Sequence, residues 1–238
     1  MKLDILVLAA HPDDAELGCG GTILKHIALG HKVGVVDLTR GELGTRGTPQ
    51  TRDTEAGDSA KILGLSVREN LGLPDGFFKN EKEHQLEVVK AIRKYQPDII
   101  LANARFDRHP DHGRGSELAF EASFLSGLTK VTTSVDGKEQ KAWRPKVVYH
   151  YIQSQLITPD FVVDVSDHWD KKMEAIRAFK TQFFDPNSQE PDTYISSPAF
   201  MKLLESRGQE FGHAIGAQYG EGYTTRRFIG VNSLFDLR

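Results

Sequence analysis

Near-continuous apolar runs alternate with amphipathic segments through the first half of this chain, and the sequence therefore predicts an α/β fold. The expected architecture is a Rossmann-like open, mostly parallel sheet flanked by helices. Three observations carry the expectation. Leu3 to Ala10 is apolar almost throughout except at Asp4, as in a parallel strand covered on both faces. Lys32 to Thr39 is a second run rich in β-branched residues. Between and after them lie segments with apolar residues at helical spacing. In order, Gly20 to Leu29 reads as a helix ended by Gly30, and Gln50 to Leu63 as a second helix ended by Gly64. Val67 to Leu73 is a short strand. Glu81 to Tyr95 is a helix with Leu86, Val89 and Ile92 on one face, Asp98 to Ala104 a fourth strand and Gly113 to Leu125 a fourth helix. The second half is less regular: strands at Val147 to Ile152 and Phe161 to Val165, helices at His168 to Gln182 and Ala199 to Ala217, and a final strand at RFIGV. Phe184 to Pro198 reads as a loop, being rich in Pro, Asp, Asn and Ser.

The chain has 238 residues, a net charge of -3, 39% apolar and 26% charged residues. These values suit a soluble globular protein read as a single domain spanning 1–238, with no linker or internal repeat. The charge gives no electrostatic reason to expect nucleic acid or an anionic membrane as partner. No apolar run approaches the length of a membrane span. One cysteine, Cys19, precludes an internal disulfide framework and fits a cytoplasmic location.

Two short runs concentrate the chemistry. LAAHPDD ends at Asp14, and RHPDH runs from Arg108 to His112; together they use three of the 9 histidines. Each falls just after a predicted strand, where ligands bind in an open α/β sheet. His11, Asp14 and His112 form a two-imidazole, one-carboxylate set of the kind that holds a catalytic zinc and leaves a position open for water. The same donors take iron(II), manganese or cobalt. Asp13, between two of them, is free to serve as a general base. His109 lies beside the reacting centre, where a protonated imidazole would stabilise an oxyanion. Asp111 would orient one of the histidines, His109 or His112. Aspartates ahead of a helix also cap it, so either Asp13 or Asp14 taken alone is equally a cap. His26, His31 and His84 read as surface or turn residues, and Cys19 as a small buried one. LGCGGT does not match the spaced dinucleotide fingerprint, and neither a P-loop nor G-x-S-x-G occurs.

AHPDDAELGCGG with HPDH resembles the LmbE-like, or PIG-L, superfamily of zinc-dependent N-acetylglucosamine deacetylases, over essentially the whole chain. DLTRGELGTRGT, from Asp37 to Thr48, with TRDTEA after it, is similar to the bacillithiol-biosynthesis deacetylases that act on N-acetylglucosaminyl-malate. The resemblance implies one zinc ion held by His11, Asp14 and His112, with Asp13 as base and later acid, and His109 as electrostatic partner. It implies that Arg52 reaches the site and helps hold the sugar, and that Tyr194, on a mobile loop, polarises the acetyl carbonyl. Arg108 is placed to meet a substrate carboxylate, which its guanidinium fork suits. Taken without the resemblance, Arg52 is a surface charge and Tyr194 an exposed loop aromatic. The resemblance also implies a homo-oligomer, a trimer or hexamer. Two rival functions stay open: hydrolysis of another N-acetylated amino sugar or a thiol S-conjugate, and a non-catalytic metal-binding module.

Overall fold

A computed structural model describes residues 1–237. Nine strands and six α-helices follow one another in the order β1 (Ile5–Ala9), α1 (Asp14–Ala28), β2 (Val33–Asp37), α2 (Pro49–Leu63), β3 (Val67–Asn70), α3 (Lys82–Tyr95), β4 (Ile99–Ala102), α4 (Pro110–Ser126), β5 (Ser134–Val135), β6 (Lys138–Glu139), β7 (Val147–Tyr151), β8 (Phe161–Asp164), α5 (Trp169–Arg177), α6 (Pro198–Ala214) and β9 (Gly220–Thr225). Seven strands form one sheet in the order β3-β2-β1-β4-β7-β9-β8, and β5 and β6 form a separate hairpin. Pairing is parallel from β3 through β7, and β9 runs antiparallel to both its neighbours. The sheet is thus open and mostly parallel. Among the described residues, no helix is long and apolar enough to cross a membrane.

The apolar run of β1 is explained by its two covered faces. Leu6, Leu8 and Ala10 join a core with Val88, Val89 and Ile92 of α3 and Leu118, Ala119 and Ala122 of α4. Ile5, Val7 and Ala9 alternate into a second core with Ala15 and Ile23 of α1. This two-fold alternation of a strand buried on both sides removes the polar positions that a half-exposed strand would show. The chain order reverses between β1 and β4, which are adjacent. A crevice therefore opens beyond their carboxyl ends, and both histidine motifs begin there.

Several boundaries differ from the sequence expectation: the helix expected to reach Gln182 stops at Arg177, the β5–β6 hairpin was not expected, and three further differences have a clear local cause. Helix α1 starts at Asp14 instead of Gly20, and its backbone kinks at Cys19, φ -145°. A Cβ at Gly18 would sit 2.2 Å from the Tyr151 ring, so the glycines of LGCGGT serve close packing of helix on sheet. The Glu221 carboxylate accepts the Gly21 and Thr22 amides at 2.8 and 2.7 Å and caps the segment after the kink. Helix α4 starts at Pro110, with His109 at its N-cap, so the last three residues of RHPDH are helical. The last strand is GEGYTT, and RFIGV lies beyond it. That strand escapes periodicity because it carries two glycines and Glu221, which is buried against Lys172 at 2.7 Å. Its Gly222 leaves room for Phe211 of α6, 2.7 Å from where a Cβ would stand.

His150 on β7 is fully buried. Its Nδ1 donates to the Asn103 carbonyl at 3.1 Å, and its Nε2 has no partner. Burial first, then the positive charges of Arg226 and Arg105, lower its pKa to about 4. The unfolded chain binds this proton near pH 6.5 and the folded chain does not, so stability should fall as the pH drops from about 6.5 to about 4, by about 3 kcal/mol. Urea denaturation of the wild type and of His150→Gln, each at neutral and acidic pH, checks this. The difference between the two proteins should shrink in acid.

Candidate active site

At the end of β1 the backbone turns sharply through His11–Pro12–Asp13. Asp13 sits at φ 136°, ψ -25°, the most extreme positive φ among non-glycine residues. Such a conformation costs about 1–3 kcal/mol and persists only where surroundings enforce it. The turn aims the two aspartates apart. The Asp14 side chain folds back to accept the His11 amide at 2.9 Å, while Asp13 reaches toward α2.

The Asp14 carboxylate is buried among donors from three strand ends. Its Oδ2 accepts from Asn103 Nδ2 at 3.0 Å, just past β4, and its Oδ1 accepts from Gln153 Nε2 at 2.8 Å, just past β7. Two imidazoles converge on the same carboxylate. His11 Nδ1 is 3.4 Å from Oδ2, and His112 Nε2 is 3.1 Å from Oδ1. Each ring's other nitrogen faces a carboxylate: His11 Nε2 lies 3.0 Å from Asp75 and 3.2 Å from Asp111, and His112 Nδ1 pairs with Asp107. Those outer contacts hold the proton on the far nitrogen and leave a lone pair on the near one in the neutral ring. A carboxylate behind each imidazole is the usual support of a metal-bound histidine. The donor set of His11, Asp14 and His112 therefore fits a divalent transition metal.

Burial pulls the His11 and His112 pKa values down, but the carboxylates win. Asp111, Asp14 and Asp75 raise His11 well above its ordinary value, and Asp14 with Asp107 raises His112 to about 9. Asp14 is shifted the other way, below the usual carboxylate range, because His112 and His11 outweigh its burial.

His109 is also close. His11, His109 and His112 each bring a ring nitrogen within 4.8 Å of the others. Yet His109 Nδ1 accepts the Asp111 amide at the start of α4, at 3.2 Å. Its neutral ring must then carry its proton on Nε2, which makes that atom a hydrogen-bond donor and unsuited to ligation. Burial, and then the positive His11 and His112, lower its pKa. The sequence expectation was a charged imidazolium at His109; the direction of this shift favours the neutral ring, which would donate from Nε2.

Asp13 stands outside the donor set. Its Oδ2 is 3.1 Å from Arg52 Nη2, which also donates to the Pro12 carbonyl at 2.7 Å. Burial raises the Asp13 pKa to about 7, with Arg52 opposing and Asp14 reinforcing the rise. A carboxyl poised there is suited to accept and return protons near neutrality. Arg52 itself is buried, so it is not the surface charge that its position on α2 also allowed.

Eight of the residues singled out in the sequence line one cavity of about 500 Å³, namely His11, Asp13, Asp14, Arg52, Arg108, His109, His112 and Tyr194; Asp111 does not. The far wall comes from the 184–198 segment and α6. Tyr194 is 44% exposed, and the Arg108 guanidinium lies 4.4 Å over its ring. Arg46 and the Gly47 amide bind Glu190, which fastens this segment across the cavity. Four residues were missed. Asn103 and Gln153 follow strand ends, a position that could have exposed them. Asp107 precedes RHPDH by one residue. Asp75 lies in LPDG, where Pro-Asp-Gly signals only a turn. The open question about Asp111 resolves differently from both expectations, since it faces His11.

Asp75 also accepts the Leu43 amide at 2.9 Å, so it ties the GELGTRGT loop to His11. Asp75→Ala should weaken zinc binding about 10–100-fold, as loss of such a supporting carboxylate does. Competition with a chromogenic chelator measures this, and an unchanged affinity would remove Asp75 from the account.

Comparison with known proteins agrees with this geometry. The model of the PIG-L family, GlcNAc-PI de-N-acetylase, matches residues 6–123. The crystal structure of the conserved protein TT1542 from Thermus thermophilus superposes with a TM-score of 0.85 at 35% identity, covering 97% of this chain and 98% of that one. Diacetylchitobiose deacetylase of Thermococcus kodakarensis is 29% identical over 92% of this chain and 81% of its own. The 4-oxalmesaconate hydratase of Pseudomonas putida is 28% identical over 74% and 73%. On the family match, the shared fold and the two histidine motifs, the chain belongs to the PIG-L family.

Proposed function

We propose that this protein is a zinc-dependent hydrolase that removes acetate from an N-acetylated amino sugar, with N-acetylglucosaminyl-malate, the bacillithiol precursor, as substrate. The observation that carries the reading is the separation of Asp13 from Asp14. One carboxylate is spent between two imidazoles, while its neighbour is buried with a pKa of about 7 and no place in the donor set. Mere metal storage gives no use for that second group or for the Nε2–H of His109.

His11, Asp14 and His112 would hold the metal, which supplies a Lewis acid that acidifies water and polarises the amide carbonyl. Asp13 takes the proton of the attacking water. The C–N bond of the tetrahedral carbon then breaks, and Asp13 delivers that proton to the departing sugar nitrogen. His109 donates from Nε2 to the oxygen that gains charge, as a neutral donor acting in a dry site. Arg52 keeps Asp13 in place and balances its charge once ionised. Tyr194 offers a hydroxyl from the opposite wall toward the acetyl group.

The malate assignment rests on the GELGTRGT resemblance and on Arg108. Arg52 is paired with Asp13 and Arg46 with Glu190, whereas the Arg108 cation stacks on Tyr194 with no carboxylate partner among the described residues. A dicarboxylate aglycone would supply one. The chitobiose deacetylase relative favours a neutral disaccharide instead, and the 4-oxalmesaconate hydratase relative favours a hydratase activity. The protein is further read as a cytoplasmic homo-oligomer.

Acetate release from N-acetylglucosaminyl-malate, diacetylchitobiose and an S-conjugate, measured side by side, separates these readings. Asp13→Asn should keep its metal and lose about 10²–10⁴-fold in kcat. An Asp13→Asn protein of full activity would sink the base assignment. Arg108→Ala should raise KM about tenfold for the malate glycoside and leave the neutral disaccharide unaffected. Equal losses on both would detach Arg108 from the aglycone.

A further inference from the structure

Between Gln182 and Thr193, which both line the cavity, residues 184–192 run almost wholly exposed. Among the described residues, every hydrogen bond from this strap to the rest of the chain ends on Arg46 or Gly47. The Arg46 guanidinium donates to Ser188 Oγ, and its Nε lies 3.5 Å from Glu190 Oε2; the Gly47 amide donates to Glu190 Oε1 at 2.8 Å. The root of the strap is held separately, by Thr181 Oγ1 donating to Glu55 at 2.9 Å. Its far side therefore hangs on one carboxylate and one hydroxyl.

The two sides of that clasp differ. Arg46 belongs to the cavity wall: it is 4% exposed, and its carbonyl accepts Gln182 Nε2 at 2.9 Å. Gly47 turns at φ 71°, and a Cβ there would meet Thr181 Oγ1 at 2.7 Å, so its amide is held in a conformation that glycine alone takes readily. Glu190 is exposed, on a segment with no other tie. The cradle is thus fixed and the carboxylate in it is replaceable. A buried guanidinium left without an anion is costly, whereas a carboxylate released to the surface regains its water. Exchange of Glu190 for another carboxylate keeps Arg46 paired throughout.

Three arginines line the cavity: Arg46, Arg52 and Arg108. A dicarboxylate has two anions to place. Arg108 has room for one. Arg52 is committed to Asp13 and to the Pro12 carbonyl. Arg46 is the remaining guanidinium, and it already holds a carboxylate of the protein. We propose that, on the reading of the substrate as a dicarboxylate glycoside, Glu190 is a resident stand-in for the second carboxylate, and that the aglycone displaces it from Arg46 and the Gly47 amide. Arg46 is then a second specificity-determining residue beside Arg108. The displacement also undoes the clasp on the strap. An anionic aglycone thus loosens its own entrance, while a neutral disaccharide leaves the strap fastened.

Zinc-loaded enzyme assayed on N-acetylglucosaminyl-malate and on diacetylchitobiose tests this. Glu190→Gln keeps an oxygen for the Gly47 amide and removes the competing charge. Its KM for the malate glycoside should fall about two- to fivefold, and the ratio of kcat/KM for that glycoside over the disaccharide should rise to match. Arg46→Gln should raise the same KM about tenfold, and adding Glu190→Gln to it should shift it no further, because Glu190 acts through Arg46. Hydrogen exchange gives a readout without turnover. In Asp13→Asn protein, residues 184–192 should exchange faster once the malate glycoside is added, and at an unchanged rate with diacetylchitobiose. A Glu190→Gln KM for the malate glycoside that is unchanged or higher overturns the proposal, as does exchange that stays the same or slows on adding that glycoside. A wild type that deacetylates the disaccharide and leaves the malate glycoside intact sinks the dicarboxylate reading itself, and the displacement with it.

Discussion

The two oxygens of Asp14 are the point on which the rest of the site depends. They take the His11 amide, the Asn103 and Gln153 side-chain amides and the near nitrogens of His11 and His112. Those groups come from the ends of β1, β4 and β7 and the first turn of α4. A single buried carboxylate therefore registers three strand ends and a helix against one another. Remove it, and two imidazoles face each other with no anion between them, each having lost one of the groups that raise its pKa. The fold places β1 and β4 side by side, and Asp14 draws groups from both strand ends onto one carboxylate.

The same turn that aims Asp14 inward holds Asp13 in a conformation that L-residues avoid. Local strain of this size persists where surrounding bonds enforce it. Here Arg52 holds both the Pro12 carbonyl and the Asp13 carboxylate, so α2 enforces it from outside. The arrangement separates adjacent residues into two electrostatic environments. Asp14, between cations, stays ionised. Asp13, buried beside Asp14, rises toward neutrality. Two neighbouring carboxylates with opposite shifts are what a site needs when one must bind charge and the other must carry a proton.

Much of this was legible in the sequence. HPDD and HPDH supply the imidazoles and the carboxylate that meet in the structure, and an apolar run before each places both at the sheet's carboxyl edge. The supporting carboxylates were not legible. Asp75 and Asp107 lie in irregular segments, and only the folded chain shows that they face His11 and His112. The acceptor role of His109 Nδ1 depends on a backbone amide at a helix start that periodicity misplaced by three residues. The last strand was missed because Glu221 and two glycines break its pattern, and each of these is explained by a neighbour distant in sequence, namely Lys172, the kinked part of α1, and Phe211.

The central claim is that two imidazoles and one carboxylate bind the metal while His109 is held off it as a donor. Anomalous diffraction from crystals of the zinc-loaded protein tests this directly. The metal peak is expected at about 2.0–2.2 Å from His11 Nδ1, an Asp14 oxygen and His112 Nε2, with His109 Nε2 outside bonding distance. A peak bonded to His109 in place of Asp14 would contradict the account.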